Sequence, residues 1–520
     1  MKTVLFLFLL GYSSLLFAAE MRDVGSLSFK NSGAKEAQPY FLRGVGLLHS
    51  FGWKQAISEF KKAQEADPDF ALAYWGESLC YNHPLITERN RQSPIKVLER
   101  LGSTFDERLA KSQTKREKGF ISAVEALFNG QGNTAQRRIA YKDSMQQLYE
   151  QFPGDDEIAA FYTLSLLSAA GASGDARMQM NVLAGSIATR LYRKNSNHPG
   201  AAHYVIHSFD DPLHAPLALD AAQKFAKIAP VVSHARHMPS HIFIQHGMWE
   251  EVSRSNQSAF DAAKALWEPG DRVGDMVHSL DWGQYGDLQL GDYDKARLWI
   301  TRLEEIDEAS GGQASNLARA RARLIIETED WQLMEVSEET HVTSLLAAGM
   351  SAIALGDLES AMKIEKLLDK KAKDEAKKEK KAYTQGPIPT EIMYKEIAAL
   401  VKLARGHEAE ALELLAEGVA LTRKLPPPRG TAIPQKPVHE LYAEVLSQVG
   451  QYEESVAMFQ ASLTRTPNRP RSLLGLARTY AKLGDRNAAA KLYRKLAEIR
   501  KGHDVLDRQE AEQYLSTVRR

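Results

Sequence analysis

Only one cysteine, Cys80, occurs in 520 residues. A single thiol cannot close an internal disulfide, and it rules out both a Cys-based zinc site and a Cys-x-x-Cys-His haem attachment. Excess charge of either sign is also missing, because 66 Lys plus Arg balance 66 Asp plus Glu. Nucleic-acid and anionic-membrane partners favour a basic surplus, so neither is expected. There is no G-x-S-x-G elbow, no P-loop, no G-x-G-x-x-G and no cysteine nucleophile backed by a triad pattern. No region is rich in strand signals. What remains is an ordinary soluble composition, 44% hydrophobic and 25% charged. The chain is longer than one core usually serves, so several domains or a repeat array is expected.

The N-terminus stands apart. Lys2 precedes the apolar run Val4–Leu10, a polar step Gly11–Ser14, and Leu15–Ala19. A short positive region, a short apolar core and Ala18-Ala19 describe a secretory signal peptide over residues 1–19, hence an exported, periplasmic protein. Leu16 or Phe17 two before the cut departs from small-x-small and leaves the cleavage site open. An uncleaved anchor is the alternative, although the run is too short and interrupted for a membrane span, and none is expected in the mature chain. No Cys follows the apolar core, so a lipid anchor is not indicated.

Beyond residue 20 the pattern is helical and repetitive. In Tyr40–Tyr74, Gly44 lies in one amphipathic run, Gly52-Trp53 makes a turn, and Ala56, Phe60 and Ala63 share a face of the next run. Asp67-Pro68 ends it, since proline cannot continue a helix and restricts the residue before it. Near the C-terminus Ala443, Gly450, Ser455 and Phe459 are matched 34 residues later by Ala477, Gly484, Ala489 and Tyr493. Small residues at helix crossings, an aromatic wedge, a terminal proline and a 34-residue period are the tetratricopeptide signature. The same turn recurs at Gly247, Gly291, Gly356 and Gly406. The expected fold is therefore all-α, a right-handed tetratricopeptide solenoid of helix-turn-helix units. Its expected parts are residues 20–424, a proline-rich linker at 425–437 and a C-terminal repeat pair at 438–520. Residues 363–381, dense in Lys with Asp and Glu, read as a solvated helix or arm.

Nine of fifteen histidines fall between His198 and His278. With Pro230 closing one unit, a first helix is expected over about 200–208 and its second over about 216–228. The next unit begins with a helix over about 233–246, and a third begins near Met276. His203/His207 and His237/His241, each four apart, share a helix face. The tetratricopeptide resemblance implies that positions two, five and nine of each first helix face a concave groove. His203 and His207, then His234, His237 and His241, then His278, Asp281 and Tyr285 would occupy them.

Imidazoles at this spacing can share a metal ion, and imidazole with an occasional carboxylate suits zinc, copper, iron or nickel over calcium or magnesium. The proposed ligands are His203, His207, His237, His241 and His278. Asp210, Asp211 or Asp281 would supply a carboxylate or orient a histidine, and His214 is a further loop candidate. His198, ahead of Pro199, reads as a helix-start residue. The glutamate of a zincin H-E-x-x-H is absent, since Tyr204 follows His203 and Met238 follows His237.

The segments Asp67–Pro84, His198–His207 (H-P-G-A-A-H-Y-V-I-H), Asp210–Leu217 and His237–Phe243 (H-M-P-S-H-I-F) resemble a group of exported bacterial tetratricopeptide-repeat proteins. The resemblance spans Tyr40–Gly291, implies the helical fold and carries no assigned activity. Tyr81-Asn82-His83-Pro84 belongs to the same pattern, which implies that His83 reaches the groove. The expectation is a binding scaffold with a protein or peptide ligand in its groove. A metal-dependent hydrolase or oxidoreductase is the alternative.

Overall fold

The structure, a computed structural model, describes residues 22–81, 90–377 and 388–518. Every regular element among them is a helix, with no strand. The chain is all-α, and successive helices pack on one another as tetratricopeptide-type hairpins. Among the described residues no helix is long and apolar enough to cross a membrane. The expected signal peptide at 1–19 lies outside the described residues, as does His83.

Two compact units are present. The first takes the chain up to Asp210, with His214–Ile242 and Asp261–Ala263. Its core is aromatic: Trp75 lies 4.9 Å from Phe120 and 4.7 Å from Phe161, both edge-on. Phe29 joins them at 5.6 Å from Trp75. Such edge contacts set the positive ring edge against a negative face. Helices Gln38–His49, Trp53–Ala66 and Ala71–Leu79 pack in turn. Their crossings need small residues, because a Cβ at Gly76 would stand 2.3 Å from the Phe60 ring.

The second unit comprises Asp211–Leu213, Phe243–Phe260 and Lys264–Arg520. Its helices end in the predicted turns: Gly450 and Gly484, 34 residues apart, both take the left-handed conformation, with φ of 85° and 81°. Only glycine enters that region without a Cβ penalty. Asp485 then caps the next helix, accepting from the Ala488 N–H. A Cβ at Gly475 would stand 2.1 Å from Phe459. This is the same sixteen-residue relation that links Gly76 to Phe60.

Two expectations need correction. The segment 425–437 is not a free spacer: Thr431, Ala432, Gln435 and Lys436 are buried. Gln245 donates to the Pro428 carbonyl, Arg323 to Thr431 Oγ1, and Gly430 lies against Trp282. Proline blocks helix formation but leaves its carbonyl free to accept, so a proline-rich stretch can be held as firmly as a helix. The helix expected over about 233–246 is in two pieces, Ser233–His237 and Pro239–His246, because Pro239 has no N–H to continue the ladder. The Lys-rich stretch is entered by helix Leu358–Ala376, which buries Ile364, Leu368 and Ala372 and pairs Lys373 with Asp369 on its outer side. Residues 378–387 lie outside the described residues.

Candidate metal centre

Five of the candidate histidines come together in the first unit. Helix Pro199–Ser208 carries His203 and His207 on one face, with ring centroids 4.6 Å apart. Helix Ser233–His237 brings His234 to 5.0 Å from His203, and His241 follows in the next piece, 5.0 Å from His237. His203 and His237 are buried, while His234 and His241 are partly open.

Hydrogen bonds fix how these rings present their nitrogens. His203 Nδ1 lies 2.6 Å from the His49 carbonyl oxygen. A carbonyl can only accept, so Nδ1 carries the proton and Nε2 keeps its lone pair. That Nε2 stands 3.1 Å from Nε2 of His234. His241 repeats the arrangement: Nδ1 donates to Asp210 Oδ2 at 2.8 Å, and Nε2 lies 3.0 Å from Nε2 of His237. Burial holds the His203 imidazole down at about 3, so the ring stays neutral at physiological pH. One nitrogen from each of His203, His207 and His234 gathers within 4.8 Å.

Phe51 forms part of the wall, 4.5 Å from His203 and 5.0 Å from His234. It holds φ at 61°, a left-handed backbone that an aromatic residue rarely adopts. Phe225 stacks on the other side of His203 at 4.8 Å.

Behind this cluster lies a second group that the sequence reading missed. His49, Glu157 and His198 are all buried. His198 is the helix-start residue expected: its Nδ1 accepts from the Ala201 N–H, so its Nε2–H donates to Glu157 Oε1 at 3.1 Å. His49 Nε2 donates to Glu157 Oε2 at 2.9 Å, and its Nδ1 accepts from the Tyr204 hydroxyl at 2.8 Å. Burial alone would raise the Glu157 carboxyl, but the two imidazoles outweigh it and hold it at about 2. Burial lowers His49 despite its glutamate partner. Each histidine donates one ring N–H to the carboxylate and uses its other ring nitrogen as an acceptor. Their lone pairs are already used, so this set reads as a brace that fixes His49 and, through its carbonyl, His203. His49 was missed because it sits at the end of an apolar run. Glu157 was missed because an acid at a helix start is ordinary.

Asp210 is buried, and its Oδ1 accepts no hydrogen bond. Asp211 accepts from the Leu213 N–H, and His214 stacks on Phe209 at 6.2 Å. His278 lies on helix Gly274–Leu290 of the second unit, exposed, with its ring 5.8 Å from Trp282. Asp281 pairs through Oδ1 with Arg323 at 2.7 Å. Tyr285 is buried edge-on against Trp249 at 5.6 Å.

Residues 446–506 match the family model described as tetratricopeptide repeat. That stretch carries tetratricopeptide repeats. That match includes Ser455, Phe459, Ala477, Gly484 and Ala489, residues through which the 34-residue period was read. No curated relative matches the chain. Among solved structures it is similar to the APC/C hetero-tetramer Cut9-Hcn1, at 11% identity and a TM-score of 0.31, covering 95% of this chain and 78% of that one. The human IFIT1 dimer with m7Gppp-AAAA is similar at 12% and 0.33, covering 94% and 93%. Yeast Tom70 is similar at 12% and 0.28, covering 93% and 89%. At these scores the likeness carries no argument about function.

Proposed function

We propose that this is an exported tetratricopeptide-repeat binding protein whose first unit holds a transition metal on its histidine cluster. The observation that carries the reading is the orientation of His203 and His241. Each donates Nδ1–H to a fixed oxygen and turns Nε2 towards another imidazole nitrogen about 3 Å away. Metal-ligating histidines are oriented in this way, by a carbonyl or carboxylate behind the ring. Two nitrogens at that separation subtend roughly 95° at an ion about 2.05 Å from each, between octahedral and tetrahedral values. The ligand type suits zinc, copper, iron or nickel. The helical repeats supply faces for a protein or peptide partner, and the metal serves structure, storage or delivery.

A metal-dependent hydrolase or oxidoreductase is the second reading. It is favoured by one feature: three gathered histidines leave a fourth position for water or substrate. The test for both is elemental analysis of the full-length protein after expression with zinc, copper, iron and nickel available, beside a His203→Ala/His237→Ala double variant. Stoichiometric metal in the wild type and its loss in the variant are expected. Metal-free wild-type protein would end both readings. An exchangeable water on the bound ion would favour chemistry, and a closed four-ligand shell would favour structure.

A further inference from the structure

We infer that five clustered histidines of the first unit form two adjacent metal positions, one at His203, His207 and His234 and one at His237 and His241. The inference rests on the metal reading above and adds its stoichiometry. Its basis is the way the lone pairs divide. His203 Nε2 faces His234 Nε2, and His241 Nε2 faces His237 Nε2. His203 and His241 each have only that nitrogen to give, because the other holds a proton donated to His49 or to Asp210. One ion bound about 2.1 Å from its nitrogens spans at most about 4.2 Å between any two of them. Nε2 of His203 and His234, 3.1 Å apart, and Nε2 of His237 and His241, 3.0 Å apart, each fall within that span, and His207 brings a nitrogen within 4.8 Å of the first pair. Among the described residues, no gathered set of three or more ligand atoms mixes members of the two pairs.

Asp210 gives an independent reason for the second position. It is 3% exposed, its Oδ2 is bonded to His241, and its Oδ1 accepts nothing. A buried carboxylate needs compensating positive charge or further hydrogen bonds. A divalent ion on Nε2 of His241, across the same ring, would supply that charge. Asp210 is then the positioning residue for His241, as the His49 carbonyl is for His203. Both positions take borderline divalent ions that prefer imidazole, such as Zn2+, Cu2+ or Ni2+.

The experiment uses the full-length protein stripped of metal and titrated separately with Zn2+ and Cu2+. Two bound equivalents in resolved steps are expected. His234→Ala and His241→Ala, at the two partly open positions, should each remove one equivalent. Asp210→Asn should weaken the second step about 10–100-fold while sparing the first. The Cu2+-loaded wild type should give a half-field electron paramagnetic resonance transition from coupled ions, which either single variant abolishes. This readout does not depend on how well a variant folds, because the wild type alone must show it. One equivalent in the wild type, without the half-field signal, would overturn the two-position inference and leave the single-ion reading intact. No bound metal would overturn both.

Discussion

Glu157 is the residue on which the buried side of the histidine cluster depends. Its two oxygens accept from His49 and His198, and no other acceptor could serve both rings. Glu157→Gln replaces one oxygen by an NH2 group and leaves an imidazole N–H facing a donor. Removing one partner of a buried charged hydrogen bond costs more than the bond contributes. The variant is expected to lose about 2–4 kcal/mol of unfolding free energy in a denaturant titration. An unchanged midpoint would show that the brace is dispensable. The same groups set an acid limit for the metal-free protein. Glu157 titrates near 2 in the fold against an ordinary 4.5, so its contribution is complete above 4.5 and lost as pH falls through 2. His203 titrates near 3 against an ordinary 6.5, so the unfolded chain gains a proton first and stability falls from 6.5 downwards. Both effects have the same sign and overlap between 4.5 and 3. Each contributes up to about 1.4 kcal/mol per pH unit. The thermal midpoint should fall steadily from pH 7 to pH 4, and a flat profile would contradict this account.

At the scale of helices, the crossings predict where substitution is not tolerated. Gly76 and Gly475 each face the aromatic wedge sixteen residues earlier, and a Cβ there would lie 2.3 and 2.1 Å from ring atoms. Gly76→Ala and Gly475→Ala should each destabilise by about 1–3 kcal/mol through overpacking, despite the better helix propensity of alanine. Chemical denaturation followed by circular dichroism would check this, and a stabilised Gly475→Ala protein would contradict it. These wedges also mark what a sequence can disclose. The period, the glycine turns and the aromatic positions were legible because each repeat must solve the same packing problem with the same residue types. His203, His207, His237 and His241 were legible because four-residue spacing fixes their face. The partners of Asp281 and of the 425–437 segment were not, since Arg323 and Trp282 meet them only through tertiary packing. Pro239 could have signalled the break after His237, because a proline inside a helical pattern ends or kinks it.

For the molecule as a whole, a bound ion should act on one compact unit. Metal that binds the native state and not the unfolded chain stabilises it by mass action, about 2.7 kcal/mol at a free concentration one hundred times the dissociation constant. All the histidines assigned above lie in the first unit, within Pro199–Ser208 and Ser233–His241. Saturating Zn2+ is therefore expected to slow amide hydrogen exchange in those helices and in Gln38–His49, whose last carbonyl holds His203. The tetratricopeptide repeats of residues 446–506 belong to the second unit and contribute no assigned ligand. Their exchange should change little. Mass-spectrometric exchange with and without Zn2+, at one protein concentration, separates the cases. Protection confined to the repeats would place the ion elsewhere and sink the assignment of His203 and His241 as ligands. Protection of the first unit that vanishes in the His234→Ala/His241→Ala double variant would tie the stabilisation to the imidazole pairs themselves.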